Sequence, residues 1–519
     1  MFLLSVDEMR ALEQCAIDSY HIPGSLLMEH AGYAVAEAII ENYPKTTTLL
    51  IVCGRGNNGG DGFVVSRKLL LEGYSVKVVV VGHISTIKGD ALTNYSILKE
   101  ITKDILYIKN HEDINNASEL FESTEIIVDA IFGTGLNSSV RPLEASVIEA
   151  MNDAKAKVIS VDIPSGINGS TAQVMKNAVR ADATIVFDAF KCGNILYPGA
   201  EYNGQLKIVD IGIPKTCYEQ IYYPKRLITE KLILSKMPIR KNNSHKGSFG
   251  KASIIAGSSG MEGAAILSCL AAMRTGLGLL KLFVPKSMNH IVKNAVPEMI
   301  TVLLEDSEMG CYEQSSIDII LEHIKKDSVI AIGPGCGQYK AVGETVRRLI
   351  AESELPLVID ADGLNMLALN MTWIDGCSKD IVLTPHLQEM SRLTNLSIAE
   401  IIENPIKIAK KYAMEWEVTV VLKSARTIVA TKNGDVYINI NGNSGMATAG
   451  TGDVLTGIIT GLMAQGLSGV DASILGVYIH GVSGDRVARE IGEYGLMAGD
   501  IIKQIAYTLK ALSHSQKDQ

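Results

Sequence analysis

The eight cysteines, at 15, 53, 192, 217, 269, 311, 336 and 377, form no CxxC pair and have no histidine companions. Neither a zinc site nor a disulfide framework is therefore expected, and buried, reduced thiols in a cytoplasmic protein are. No apolar run approaches the ~20 residues of a membrane span. The start, Met1-Phe-Leu-Leu-Ser-Val-Asp-Glu8, has no basic flank, so no secretory leader is expected either. Long basic runs are also missing. With 48 Lys and Arg against 57 Asp and Glu, the formal charge is -9, which argues against nucleic acid or an anionic membrane as the main partner. A Walker A loop is absent, because Gly250-Lys251 is followed by Ala252 and lacks the earlier glycine. No short period repeats along the chain, which excludes a repeat array.

What remains is an ordinary globular composition, 47% hydrophobic and 20% charged, in a chain of 519 residues that exceeds one hydrophobic core. The 47 glycines, roughly 9% against a usual ~7%, point to ligand sites built from backbone. Short β-branched runs at 48–53, 75–81, 125–129, 157–162, 184–187 and 206–210 alternate with helical patterns, the signature of a parallel sheet with crossover helices. Two helices, roughly 6–19 and 26–41, precede it. A polar, Lys-rich stretch from about 216 to 245 reads as a linker. The pattern then resumes at 252–256, 280–284, 329–332, 357–360, 381–383 and 418–422, with three helices after Asp453. The expected fold is α/β in two domains, residues 1–220 and 221–519.

In open parallel sheets, ligands bind at loops leaving the carboxyl ends of strands. In the first half these are Gly54-Arg-Gly-Asn-Asn-Gly-Gly-Asp-Gly62, Gly133-Thr-Gly-Leu136 and Asp162-Ile-Pro-Ser-Gly166. The first holds a literal GxGxxG, yet the next strand ends in Val81-Gly-His83 and not in the Asp or Glu that would hold a ribose. A nucleotide there would bind in another mode. Asn58, Asp129 and Ser165 fall on one rim and offer hard oxygens, which suit an alkali or alkaline-earth ion, turn chemistry or capping being the alternative. Asp162 and Lys191 are candidates for an acid and base pair meeting over a substrate.

The second half offers loops at Gly257–Ala264, Gly333–Gly335, Asp360–Asn365, Thr384–Glu389, Lys423–Thr427 and Asn443–Asp453. The last is followed at once by an apolar helical run. A helix start carries unpaired N–H groups and the positive end of the macrodipole, so Gly450 and Gly452 let an anion approach. Asp453 beside it is a candidate base for a hydroxyl that attacks a phosphoryl group; capping the helix is the alternative. Lys423 is a candidate phosphate contact or a surface lysine, and His386 a substrate contact or a structural residue.

In order, these loops resemble those of the bifunctional NAD(P)H-hydrate repair enzymes, over nearly the whole chain. Asn57-Asn-Gly-Gly-Asp61, the stretch from Asp129 to Leu136 and Asp162-Ile-Pro-Ser-Gly166 are similar to the epimerase motifs. Lys246-Gly-Ser-Phe-Gly-Lys251, Gly257 to Ser268, Thr384-Pro-His386 and Gly445 to Gly457 are similar to the dehydratase motifs. The resemblance implies a Rossmann-like, three-layer α/β/α epimerase domain followed by a ribokinase-like dehydratase domain. It implies a substrate, NADH or NADPH hydrated at C6 of the nicotinamide ring, held in the first domain by Asn57, Asn58, Gly59, Gly60, Asp61, Gly133, Thr134, Gly135, Leu136, Asn137, Ser138, Ser139 and Asp162. Potassium (K+) would sit on Asn58, Asp129 and Ser165.

In the second domain Ala264, Gly335, His386 and Asp453 would contact the hydrate, and Lys423, Ser424, Ala425, Arg426, Thr427 and Gly452 the nucleotide. ADP, or ATP, with magnesium (Mg2+) would phosphorylate the S hydroxyl, and loss of phosphate would restore the reduced cofactor, leaving AMP when ADP is the donor. Two places depart from the family pattern: Ser424 replaces a usual Gly, and Asn137-Ser-Ser-Val-Arg-Pro142 replaces a usual basic residue and a later Gly. The rival readings are a ribokinase-type small-alcohol kinase and a first domain that only binds nucleotide or protein. The apolar helices after 454 suggest core packing or a subunit interface, and a homo-oligomer is expected.

Overall fold

Successive side chains of a strand point to opposite faces, so a run apolar at every position has to be covered on both sides. Thr48–Cys53 obeys this in a computed structural model that describes residues 1–517. Leu49, Ile51 and Cys53 join one core, whereas Leu50 and Val52 join another on the opposite face. The chain divides into two compact units, Met1–Tyr223 and Pro224–Gln519.

In the first unit the strands are β1 (Leu3–Leu4), β2 (Thr48–Cys53), β3 (Ser75–Val81), β4 (Ile105–Ile108), β5 (Ile126–Ala130), β6 (Lys157–Val161), β7 (Ala183–Phe187), β8 (Phe190–Lys191) and β9 (Gln205–Val209). Seven of them form one parallel sheet in the order β4-β3-β2-β5-β6-β7-β9, and β1 pairs with β8 separately. Helices Val6–Tyr20, Gly24–Asn42 and Asn57–Leu71 bury their apolar sides in the core on one face of this sheet. Helix Pro142–Asp153 covers the other. The result is three layers, with strand order reversing between β2 and β5, where a crevice opens at the strands' carboxyl ends.

In the second unit the strands are β10 (Lys225–Leu227), β11 (Lys251–Ile255), β12 (Leu279–Pro285), β13 (Ile300–Leu304), β14 (Val329–Ile332), β15 (Leu357–Ile359), β16 (Ile381–Leu383), β17 (Thr419–Leu422), β18 (Ile428–Ala430) and β19 (Val436–Ile438). They form one sheet in the order β10-β19-β18-β17-β16-β15-β14-β11-β12-β13, antiparallel only where β18 meets β17 and β19. The stretch expected to be a linker is structured instead. It contains helix Lys215–Gln220, strand β10, which is an edge of the second sheet, and helix Glu230–Leu234.

Helix Thr451–Ala464 packs against helix Glu262–Arg274 through glycines. A Cβ on Gly457 would lie 2.2 Å from the Ser268 carbonyl oxygen, and one on Gly461 2.6 Å from that of Ala272. Larger residues there would push the two helices apart and move the start of Thr451–Ala464 with them. All eight cysteines are free, and six are buried; Cys15 and Cys377 are partly exposed, contrary to the expectation of burial for all. Among the described residues, no helix is long and apolar enough to cross a membrane.

Candidate active sites

A cavity of about 720 Å³ opens at the carboxyl ends of the first unit's strands. Asn57, Asn58, Asp61, all of Gly133 to Ser139, and Asp162 wall it. Gly59 and Gly60, expected among the substrate contacts, are absent from that wall. A Cβ on Gly59 would stand 2.1 Å from the Gly54 carbonyl oxygen, and one on Gly60 2.6 Å from Met28 Sδ. These two glycines let the start of helix Asn57–Leu71 pack onto its own loop and onto helix Gly24–Asn42.

The floor of the cavity is acidic. Asp61 is buried, and desolvation first, then the charges of Asp162 and Glu13, push its carboxyl well above the usual range. Glu13 is likewise raised, by burial and then Asp162, against the pull of Lys191 and Arg10. Both Glu13 and Arg10 wall the cavity from helix Val6–Tyr20. Asp162 has left-handed backbone, φ 64°, and its Oδ1 accepts from Phe187 N at 3.0 Å and Lys191 Nζ at 2.5 Å. Lys191 itself is fully buried and also donates to the Phe187 carbonyl at 2.8 Å. It is absent from the cavity wall, so the expectation that Asp162 and Lys191 meet over a substrate is corrected. Lys191 holds Asp162 from behind, and Asp162 shares the cavity with the carboxyl groups of Asp61, Glu13 and Glu144.

Asp129 lies fully buried beneath this floor and accepts from Ser165 N at 2.8 Å, Ser165 Oγ at 2.5 Å, Ser160 Oγ at 2.8 Å and Ile131 N at 3.3 Å. Burial raises its carboxyl against the opposing pull of those bonds. Ser165 Oγ accepts from Phe132 N at 2.8 Å. A Cβ on Gly133 would lie 3.1 Å from Asn58 Oδ1, and Asn58 Nδ2 is buried with no hydrogen-bond partner. The group is all oxygen with a single carboxylate. That fits a weakly charged alkali ion better than a transition metal, and among the described residues no three His, Cys, Asp or Glu side chains cluster to hold a metal.

Just past β7, Asp188 has φ 57°, and its Oδ2 is buried with no hydrogen-bond partner. Desolvation pushes its carboxyl up to about 7, against a long hydrogen bond from Ile211 N at 3.4 Å. An unfolded Asp titrates near ~3.9, so the stability linked to this proton is present below about 4 and lost as pH rises through about 7. Asn accepts left-handed backbone and carries no charge. Asp188→Asn is therefore expected to raise the melting temperature at pH 8 and to leave it nearly unchanged at pH 4. Equal shifts in melts at the two pH values would sink this account.

In the second unit, helix Thr451–Ala464 begins behind Gly450, whose φ is 89° and whose added Cβ would meet Leu267 Cδ1 at 2.5 Å. No side chain caps the start, so the first-turn amides stay available to an anion. Asp453 stands in that turn, and burial, then the charge of Asp360, raise its carboxyl to about 7 against the pull of Lys423. Lys423 is no surface lysine: Nζ lies 2.7 Å from Asp360 Oδ1, and 3.4 Å from where Gly452 would carry a Cβ. Burial pulls its ammonium down, but Asp360 and Glu389 more than offset that and raise it. Asp360 is buried and takes Thr456 Oγ1 on its second oxygen at 2.5 Å.

His386 is a helix cap. Its Nδ1 accepts from Gln388 N at 3.1 Å and Glu389 N at 3.2 Å, and Nε2 faces Glu389 Oε1 at 3.2 Å. Half the side chain is exposed, so capping leaves it room to touch a ligand as well. Gly335, φ 61°, and Ala264 adjoin, since a Cβ on the former would lie 2.9 Å from that of the latter. Ser424 and Ala425 are exposed in the turn from β17 to β18, tied by Ser424 Oγ to the Arg426 carbonyl at 2.9 Å and Thr427 Oγ1 to the Ser424 carbonyl at 3.2 Å.

Several groups at these sites escaped the reading of the sequence, Arg10 and Glu13 in the first unit and His480 in the second, while Glu389 and Thr456 stood in quoted segments without a task. His480 has a buried Nε2 with no hydrogen-bond partner, and burial pushes its ring down to about 4. Asp360 stood in a quoted loop but was given no task.

A family model described as NAD(P)H-hydrate dehydratase matches residues 252–507, and one described as YjeF-related protein N-terminus matches residues 24–193. The bifunctional NAD(P)H-hydrate repair enzyme of Moorella thermoacetica is 39% identical over 515 residues, covering 99% of this chain and 97% of that one. Its Escherichia coli counterpart is 31% identical, covering 96% and 92%. Among solved structures, the ADP/ATP-dependent NAD(P)H-hydrate dehydratase of Bacillus subtilis, co-crystallised with ATP and Mg2+, matches with a TM-score of 0.50 at 29% identity, over 55% of this chain and 98% of that chain. A ribokinase-like superfamily protein from Enterococcus faecalis matches at 25% identity with the same TM-score, 0.50, over 56% and 98%.

Proposed function

The chain belongs to the bifunctional NAD(P)H-hydrate repair enzymes, and on that premise we propose how its two units divide the repair. The protein is an enzyme that returns hydrated NADH and NADPH to the usable cofactors with the help of ADP or ATP and magnesium. The unit Met1–Tyr223 interconverts the R and S hydrates, and the unit Pro224–Gln519 dehydrates the S form, leaving phosphate and, from ADP, AMP.

The observation that carries the second assignment is Asp453, a carboxyl poised near neutrality in the first turn of a helix whose amides are uncapped. There it takes the proton of the C6 hydroxyl as that oxygen attacks the terminal phosphoryl group. Phosphate is a far better leaving group than hydroxide: it departs from C6 with the bonding pair, the ring nitrogen's lone pair forms a C=N bond, and loss of a proton from C5 to water restores the ring's C=C bond and the nitrogen lone pair. Lys423, fixed by Asp360, and the turn from Ser424 to Thr427 hold the nucleotide, with Gly452 giving it backbone access. Magnesium comes with the phosphates, which supply most of its oxygens together with water.

In the first unit C6 bears both the hydroxyl and the ring nitrogen. Asp61, whose burial favours the protonated form, donates to the hydroxyl; the C6–O bond breaks, water leaves with the bonding pair, and the nitrogen lone pair forms a C=N bond. Water adds from the other face and returns its proton to Asp61. Asp162, anchored by Lys191, faces the cationic ring. The oxygen group of Asn58, Asp129 and Ser165 would hold potassium and so stiffen the loop from Gly133.

Free thiols throughout support a cytoplasmic setting. The exposed Tyr494, Met497 and Tyr507 support a homo-oligomer. The test follows absorbance at 340 nm with a mixture of R and S NADH hydrate, with and without ADP and magnesium. Recovery of the whole mixture is expected. Recovery of the S part alone, beyond slow spontaneous epimerisation, would leave the first unit as a binding module, and a stable phosphorylated product without recovery would favour a simple kinase.

A further inference from the structure

The first cavity is electrically lopsided. Its floor holds Glu13, Asp61 and Asp162 with Arg10 beside Glu13, whereas its far wall holds Arg55 and Arg141, both paired to the one buried carboxylate of Glu144. Those same three residues are also the near wall of a second cavity of about 460 Å³, which His83, Lys109 and His111 complete. Three fixed cations and two histidines thus face a single carboxylate. The annexe lies past the ends of β3 and β4, on the β3 side of the glycine loop that follows β2.

In a sheet of this kind the end of the strand after the glycine loop is where a dinucleotide's adenosine ribose lies. An Asp or Glu there binds the free 2′-hydroxyl, and a basic residue nearby takes a 2′-phosphate. Here that strand runs into His83, so the acidic ribose contact whose absence argued against this mode is replaced by the basic lining of the annexe. We propose that the annexe is a subsite for the 2′-phosphate on the adenosine ribose of NADPH hydrate. The acidic floor then receives the hydrated nicotinamide, and the helix start at Asn57 lies between the two, beside the diphosphate. This rests on the epimerase reading of the unit. The subsite gives that reading a substrate preference: Arg55 and Arg141 keep guanidinium edges in reach because Glu144 can satisfy only part of each, and Lys109, whose Nζ lies 5.7 Å from the Tyr107 ring centroid, stands on the opposite wall.

The test compares epimerisation of R-NADPH hydrate with that of R-NADH hydrate in the full chain and in Lys109→Gln/His111→Gln. Loss of one charge-assisted contact predicts that the ratio of kcat/KM for the two substrates falls about tenfold in the variant. A ratio equal to that of the parent overturns the subsite. A second readout does not need turnover: adenosine 2′,5′-bisphosphate is titrated into the parent while the ring resonances of His83 and His111 are followed, with 5′-AMP and inorganic phosphate as separate arms. The bisphosphate alone should move them at low concentration. Equal movement by 5′-AMP or phosphate would make the annexe a general phosphate site and overturn the assignment to the 2′ position. If neither hydrate is epimerised while the bisphosphate still moves both histidines, the catalytic reading of the unit falls and the subsite stands.

Discussion

Asp453→Asn lowers the rate of ADP-dependent recovery of NADH absorbance by on the order of 10³-fold, with the R-to-S conversion unaffected. The variant keeps the shape of the side chain and removes only its ability to accept a proton. Folding should not suffer, because desolvation and Asp360 already make the charged carboxylate costly at that position. The same two causes fix the pH dependence. A carboxyl raised to about 7 is mostly protonated at pH 6, so kcat/KM of the parent should fall about tenfold per pH unit below 7 and level off above it. Single-turnover measurement from pH 5.5 to 8.5 checks both statements. A variant that retains a tenth of the activity, or a parent rate flat down to pH 5.5, would remove Asp453 from the role of base.

Asp61→Asn should abolish epimerisation to a similar degree, on the order of 10² to 10⁴-fold, while dehydration of pure S hydrate continues. The reasoning runs the opposite way from that for Asp453. Here burial and two neighbouring carboxyl groups favour the protonated form, which suits the group to donate a proton. Asn cannot supply that proton, yet it fills the same space and relieves the crowding of acids with Asp162 and Glu13. Chiral separation of the hydrates over time gives the rate directly. Undiminished conversion would shift the proton donor to Glu13, the other raised carboxyl on the cavity floor.

The long β-branched runs and the glycine loops were legible because period and turn chemistry are local properties of the chain. Strand β2 betrays itself by five consecutive apolar residues, Leu49 to Cys53, that need cover on both faces, and the helix start at Asp453 by glycines that a packed helix would otherwise avoid. The short strands had no such signal. Phe190–Lys191 is two residues long and becomes a strand only because Leu3–Leu4, far away in sequence, lies beside it. The misreading of Lys191 has the same root: a lysine after a strand looks exposed, and only the fold reveals that Asp162 and the Phe187 carbonyl hold its ammonium in the interior. Glu13 lies in an amphipathic helix, where an acidic residue usually marks the solvated face. Glu389 reads as the third residue of a capping box, which it is, and nothing local adds that it also flanks Lys423 at 3.9 Å.

The carboxylate of Asp360 ties three distant segments together: its own strand end, the lysine that follows β17 and the helix that begins at Thr451. Loss of the lysine would strand a buried charge and loss of Thr456 Oγ1 a buried carboxylate oxygen, so the nucleotide contact and the anion-binding turn share a single opening event. Amides in the first turns after Lys423 and Thr451 should accordingly exchange with solvent at a common rate, and added nucleotide should slow both together.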